Sequence, residues 1–310
     1  MENGSIDFDK FRQEKLAKIE DYTKIPVVVY ASDFLNGDKV KACQGEVDIN
    51  HLDIQGFSEV TKNLPDGPLD IILHSPGGVP EATESIVKII RQRFKPVRFF
   101  IPMIAKSAAT MLALSGDEIL MPPSSELGPI DPQFNLSDGA GGRVMTPAQA
   151  LIDQFDQARA EIASNPNLAP AWAPVTARLS TGLYQMSKNA ISLSKILVQS
   201  WLETYMFSGE VDASDKAKKI VDFLGDHNSF LTHGRRVDLD DLIPLNVKIK
   251  DIRKVDIKLW ALVEEAWYSI QHTFEGTGAF KLFENSRKGC YVRVIQVVVQ
   301  MAQPPTLPKR

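Results

Sequence analysis

Two short stretches carry residue types that suit acyl-transfer chemistry. In the first, Leu73-His74-Ser75-Pro76-Gly77-Gly78, an apolar run gives way to a glycine pair just before a helical pattern begins. Glycine at such a turn admits positive φ and lets a bound group come close to backbone N–H groups. Fixed donors of that kind stabilise a developing oxyanion with little reorganisation. In the second stretch Ser107 stands ahead of Ala108, Ala109 and Thr110. That spacing sets a hydroxyl at the head of a helix, where the helix end favours negative charge. Each feature has a plainer account when taken singly: a tight strand-to-helix link for Gly77 and Gly78, and a cap or close-packed residue for Ser107.

A serine nucleophile needs a proton acceptor. No lysine lies between Ser107 and the second long helical stretch, where Lys188 is the first and Lys195 follows seven residues later on the same helical face. An amine accepts the proton only when burial brings its pKa down. Lys188, Lys195 and His233 are candidates; an exposed helical lysine is the plainer reading of either amine. His233, in Thr-His-Gly-Arg-Arg, is read as a base, an orienting residue held by Asp131, or a solvated loop histidine. Lys106 adjoins Ser107, and adjacent side chains diverge, which suits it to steering substrate. His74 has the position of a strand-end hydrogen-bonding residue, and Arg235 and Arg236 could bind a substrate carboxylate or face water.

The elements that must position these residues alternate. Pro26–Ser32, Ile71–Leu73 and the Lys95–Met103 segment read as short buried strands, β-branched or apolar and bounded by turn residues. Between them lie amphipathic helices with Phe57, Val60 and Leu64 on one stripe and Ile86, Ile89 and Ile90 on another. Strand–helix alternation with short links predicts a largely parallel sheet. The glycine run at 139–142 marks a flexible loop, and two long helical stretches follow, about 146–163 and 181–207. Residues 1–24 read as a solvated helical arm, 25–250 as the main domain, and 251–310 as a helix-and-strand extension ending in the alternating run that starts at Tyr291.

The segments Leu73–Ile90, Ile104–Gln133 and Leu231–Val247 resemble the serine dehydrogenase proteinase family, related to signal peptide peptidase A within the Clp protease and crotonase superfamily. The resemblance implies a Clp/crotonase-like α/β spiral of ββα units with a helical C-terminal extension. It also implies a serine peptidase in which Ser107 is the nucleophile and Gly77, Gly78 and the N–H of Ala108 form the oxyanion hole. Ile130 occupies the place where Clp proteases carry their histidine, so the resemblance implies a Ser-Lys dyad in which Lys188, ahead of Lys195, is the base. A catalytically inactive oligomeric scaffold of the same fold is the alternative, and acyl-CoA chemistry of the crotonase type a third. Relatives assemble into rings or stacked trimers, so a homo-oligomer acting on peptide or protein substrates is expected.

Composition narrows the remaining classes. With a net charge of -4 and 44% apolar residues, the 310-residue chain has no general attraction for nucleic acid. Cys43 and Cys290 are far apart and lack metal-ligand spacing, so neither a zinc site nor a disulfide framework is expected. The apolar runs are too short for a membrane span and the amino terminus has no signal-peptide pattern. A cytoplasmic enzyme without metal or cofactor is the expectation, its ATP-driven unfolding left to another protein because no phosphate-binding loop is present.

Overall fold

The computed structural model describes residues 7–137, 142–177 and 182–295. Among the described residues there are eleven strands: β1 (Val27–Ser32), β2 (Gly67–His74), β3 (Phe94–Phe100), β4 (Ile104–Ala105), β5 (Glu118–Met121), β6 (Glu126–Leu127), β7 (Gln133–Ser137), β8 (Arg143–Pro147), β9 (Ile249–Asp251), β10 (Ala279–Asn285) and β11 (Cys290–Val294). The helices that position the site or cover the sheet are α1 (Phe8–Thr23), α2 (Asp53–Thr61), α3 (Pro80–Arg91), α4 (Ala108–Leu114), α5 (Ala148–Ser164), α6 (Leu183–Trp201), α7 (Ala213–Leu224), α8 (His227–Phe230) and α9 (Ile257–Gly276).

A seven-stranded sheet in the order β11-β10-β1-β2-β3-β5-β9 forms the centre. From β1 to β9 all neighbours are parallel, and β10 and β11 add an antiparallel margin. Their burial on both faces is why these strands read as continuous apolar runs. Alternation along β2 sends Ile71 and Leu73 into one core layer with α2, α3 and α4, while Ile72 joins the opposite layer with α1 and α9. Phe57, Val60 and Leu64 are buried as their spacing requires, and on α3 Ile86, Val87 and Ile90 are buried while Ile89 is only half-buried.

The amino-terminal segment is not a solvated arm. Helix α1 docks on α9 and buries Arg12, Leu16 and Ile19. The Arg12 guanidinium donates to Glu284 at 2.7 Å and to Thr273 at 2.7 Å, so a charge that looked solvent-facing sits inside. The two long helices fall at α5 and α6, inside the expected stretches. The glycine run expected to be a loop lies outside the described residues except for Gly142, and so does the end of the terminal alternating run; its described part forms β11 at the edge of the sheet.

Candidate active site

Both predicted turns lie at the carboxyl ends of neighbouring parallel strands, the usual crevice of an open α/β sheet. Gly77 and Gly78 follow β2 with φ of 99° and 150°. A Cβ on Gly77 would stand 2.6 Å from the Lys106 carbonyl oxygen and 2.7 Å from Cβ of Ser107, and a Cβ on Gly78 would meet the Ile49 backbone at 2.2 Å. Glycine is required at both positions because other backbone occupies that space. Ile49 brackets the turn, donating to Gly77 O at 2.7 Å and accepting from Val79 N–H at 2.9 Å. Gly77 N–H donates to Ser75 Oγ at 3.2 Å, whereas the N–H groups of Gly78 and Ala108 have no acceptor among the described residues.

Ser107 caps α4 with φ 51° and ψ -121°, a conformation in which L residues carry strain. Strain of this kind persists only where the surroundings hold it. Here Lys106 N–H donates to Ser75 O at 3.0 Å, Met111 N–H donates to Ser107 O at 3.0 Å, and Thr110 Oγ1 donates to Ala105 O at 2.8 Å. The turn thereby presents the Ser107 side chain to a cavity of about 210 Å³. That cavity is also lined by Gly77, Gly78, Met111, Ser194 and His233.

The candidate bases are placed very differently. Lys188 is exposed on α6, its amine 5.6 Å from the centre of the Tyr184 ring, and it does not line the cavity. Lys195 pairs with Asp222 at 3.2 Å on the face turned to α7. The α6 residue that reaches the cavity is Ser194. Lys106 points away as well: its amine donates to Leu127 O at 2.9 Å and pairs with Glu126 at 3.1 Å, and burial lowers its pKa. It ties the Ser107 turn to β6 and does not line the cavity.

His233 does line the cavity, and its Nδ1 lies 2.7 Å from Oδ1 of Asp131. The same carboxylate receives His227 Nδ1 on Oδ2 at 2.9 Å. Asp131 is buried, and both histidine side chains are largely so. A carboxylate on Nδ1 fixes the ring and leaves Nε2 as the free nitrogen. The loop carrying His233 is anchored where Val237 exchanges backbone hydrogen bonds with Leu127 at 2.9 and 3.1 Å, immediately before Ile130 and Asp131. Arg235 and Arg236 hold that loop by donating to Ser229 O and Pro123 O. His74 faces the opposite side of the sheet between Phe34 and Trp267, its Nδ1 accepting from Ile104 N–H at 3.3 Å, and burial holds its pKa at about 3.

Asp48, Gln133, Met145 and Ser194 are among the liners not singled out from sequence. A second cleft of about 690 Å³ opens beyond them and shares Asp48, Gly78, Pro80, Gln133 and Met145 with the first. His227 was missed too. The Asp131–Pro132–Gln133 run after Ile130 was the available signal for some of these; for Asp48 there was none.

The Ser107 turn and the Gly77–Gly78 turn both fall in the segment that matches known proteins. Residues 54–161 match the ClpP-like SDH-type serine proteinase family. Two uncharacterized proteins of Methanocaldococcus jannaschii are similar: one is 30% identical over 154 residues, covering 47% of this chain and 51% of the relative, the other 27% identical over 185 residues, covering 60% and 55%. The chain thus spans about half the length of the curated relatives it matches. Among solved structures, a mutant of the 1510-N membrane-bound stomatin-specific protease superposes with a TM-score of 0.39 at 17% identity, over 67% of this chain and 78% of that one. ClpP1 from Listeria monocytogenes does so with a TM-score of 0.41 at 12% identity, over 78% and 97%. The ClpP-like SDH-type match covers the serine-bearing half of the cleft and stops short of His233. The fold is mixed α/β, with a central sheet and a helical C-terminal region, and residues 54–161 match a ClpP-like family. Among the described residues no helix is long and apolar enough to cross a membrane, and no group of three His, Cys, Asp or Glu side chains is placed to hold a metal ion.

Proposed function

We propose that the protein is a serine peptidase in which Ser107 is the nucleophile, His233 the general base and Asp131 the residue that orients it. The observation that carries this reading is that a strained serine and a carboxylate-bound imidazole line one cavity. Ser107 Oγ bonds to the substrate carbonyl carbon while its proton passes to Nε2 of His233. The carbonyl oxygen takes up the negative charge between the N–H groups of Gly78 and Ala108. His233 then returns the proton to the departing amine as the C–N bond breaks, and water, deprotonated by the same imidazole, releases the acyl group. The Ser-Lys dyad implied by the resemblance has less support, because neither Lys188 nor Lys195 lines the cavity.

Intact-mass detection of a fluorophosphonate adduct tests the assignment. Wild type is labelled, Ser107→Ala is not, and His233→Ala slows labelling by roughly 10²-fold or more. Lys188→Ala and Lys195→Ala react at the wild-type rate. Loss of labelling in Lys188→Ala with full labelling in His233→Ala would overturn the base. Self-association belongs to the same proposal: β11 forms the edge of the sheet among the described residues, and an uncovered edge favours pairing with another chain. Light scattering during gel filtration reads the subunit number.

A further inference from the structure

Resting on the peptidase reading above, we propose that Asp48 selects substrates that carry a lysine or arginine side chain beside the bond to be cut. Asp48 lines the Ser107 cavity and also the larger cleft that opens from it. In the Ser107 cavity it is the one carboxylate among the described lining residues. The charges around it account for one another. Asp53 is ion-paired with buried Lys281 at 2.9 Å, and Glu46 is ion-paired with Arg293. Lys281 reaches Asp48 through its backbone, donating to the carbonyl oxygen at 2.8 Å, and Asn50 Nδ2 donates to the same oxygen at 3.0 Å. The Asp48 carboxylate itself accepts no hydrogen bond and forms no ion pair among the described residues. One unneutralised negative charge is therefore left at the junction of cavity and cleft.

Asp48 is exposed, and partial desolvation of its carboxyl group raises the pKa, the nearby Lys281 charge opposing the rise and Asp53 adding to it. An arriving cation would offset that cost. The remaining lining suits the stem of such a side chain: Met145, Pro80 and Pro132 offer apolar surface along which a methylene chain can lie with its charged end at Asp48. A neutral substrate gains the apolar contacts alone, and an acidic one meets repulsion.

Peptidyl diphenyl phosphonates that differ only in lysine, norleucine or glutamate at the reacting residue separate the possibilities, with Ser107 modification followed by intact mass. The expected second-order rate for lysine exceeds that for norleucine by about tenfold, the size of one hydrogen bond to a charged group. Glutamate is slowest. Asp48→Asn, checked for folding by thermal melting, brings the lysine-to-norleucine ratio to about one, and Asp48→Glu restores a preference. Equal rates for lysine and norleucine in wild type, or a ratio that survives in Asp48→Asn, would overturn the assignment while leaving Ser107 a nucleophile. Absence of modification by every phosphonate and by a fluorophosphonate would overturn the peptidase reading, and this inference with it.

Discussion

A methyl group added to Gly77 would lie 2.7 Å from Cβ of Ser107, so the two turns touch through backbone and not through long side chains. The proposed oxyanion donors and the Ser107 hydroxyl are held in a fixed relation by that contact. Gly77→Ala is expected to destabilise the protein by about 2–4 kcal/mol, from a positive φ and a clash with backbone that cannot yield. Urea unfolding measures the loss, and fluorophosphonate labelling should slow in step with the displaced donors.

Ser107 holds its strained φ of 51° whatever side chain it carries. Ser107→Gly and Ser107→Ala both lack the nucleophile, but only glycine relaxes the backbone. The glycine variant should be more stable than the alanine variant by roughly 1 kcal/mol in urea unfolding. Equal stabilities would mean that the turn is not strained.

Asp131 serves two imidazoles, and removing its charge should affect His233 and His227 unequally in function. Asp131→Asn is expected to slow labelling by about 10²–10⁴-fold through loss of orientation and charge. His227→Gln leaves the Asp131–His233 contact in place and should cost less than about tenfold. Stopped-flow labelling rates for the two variants give the comparison.

His74 is uncharged in the folded protein down to about pH 3, against an ordinary value of 6.5. The unfolded chain binds this proton first, so the stability that His74 contributes is complete above pH 6.5 and is lost as pH falls from there towards 3. The slope reaches about 1.4 kcal/mol per pH unit within that window. His74→Gln should flatten the acid side of a stability-against-pH curve by one proton.

Lys281 and Asp53 are fully buried together, and Tyr30 donates to the same carboxylate at 2.8 Å. Lys281→Met leaves that carboxylate without its cation and should cost about 3–5 kcal/mol. The double variant Lys281→Met/Asp53→Leu should recover part of the loss, measurable as a higher melting temperature than the single variant.

What the sequence made legible was local. Gly77, Gly78 and Ser107 announce their turns through residue type and the elements on either side. The continuous apolar runs likewise reveal a sheet covered on both faces. The base was a different problem, since it depends on which side of α6 meets the cleft. Ser187 and Ser194 are the buried positions there, and Lys188 and Lys195 each stand one residue further on, about 100° around the helix. Small polar residues at seven-residue spacing were the available hint. His233 meets Asp131 across 102 residues because Val237 pairs with Leu127, a long-range contact that no local pattern encodes. Arg12 misled in the same way, as its partner Glu284 lies near the other end of the chain.

On the proposed assignment, the docking of Val237 against Leu127 would also govern when the protein becomes reactive. A ribosome that has released the chain only as far as α6 has delivered the hydroxyl and both amide donors but not the imidazole. On the present assignment the nascent polypeptide is harmless to itself and its neighbours until the loop beyond α8 has emerged and closed on β6. On that assignment, potency would arrive only with completed folding.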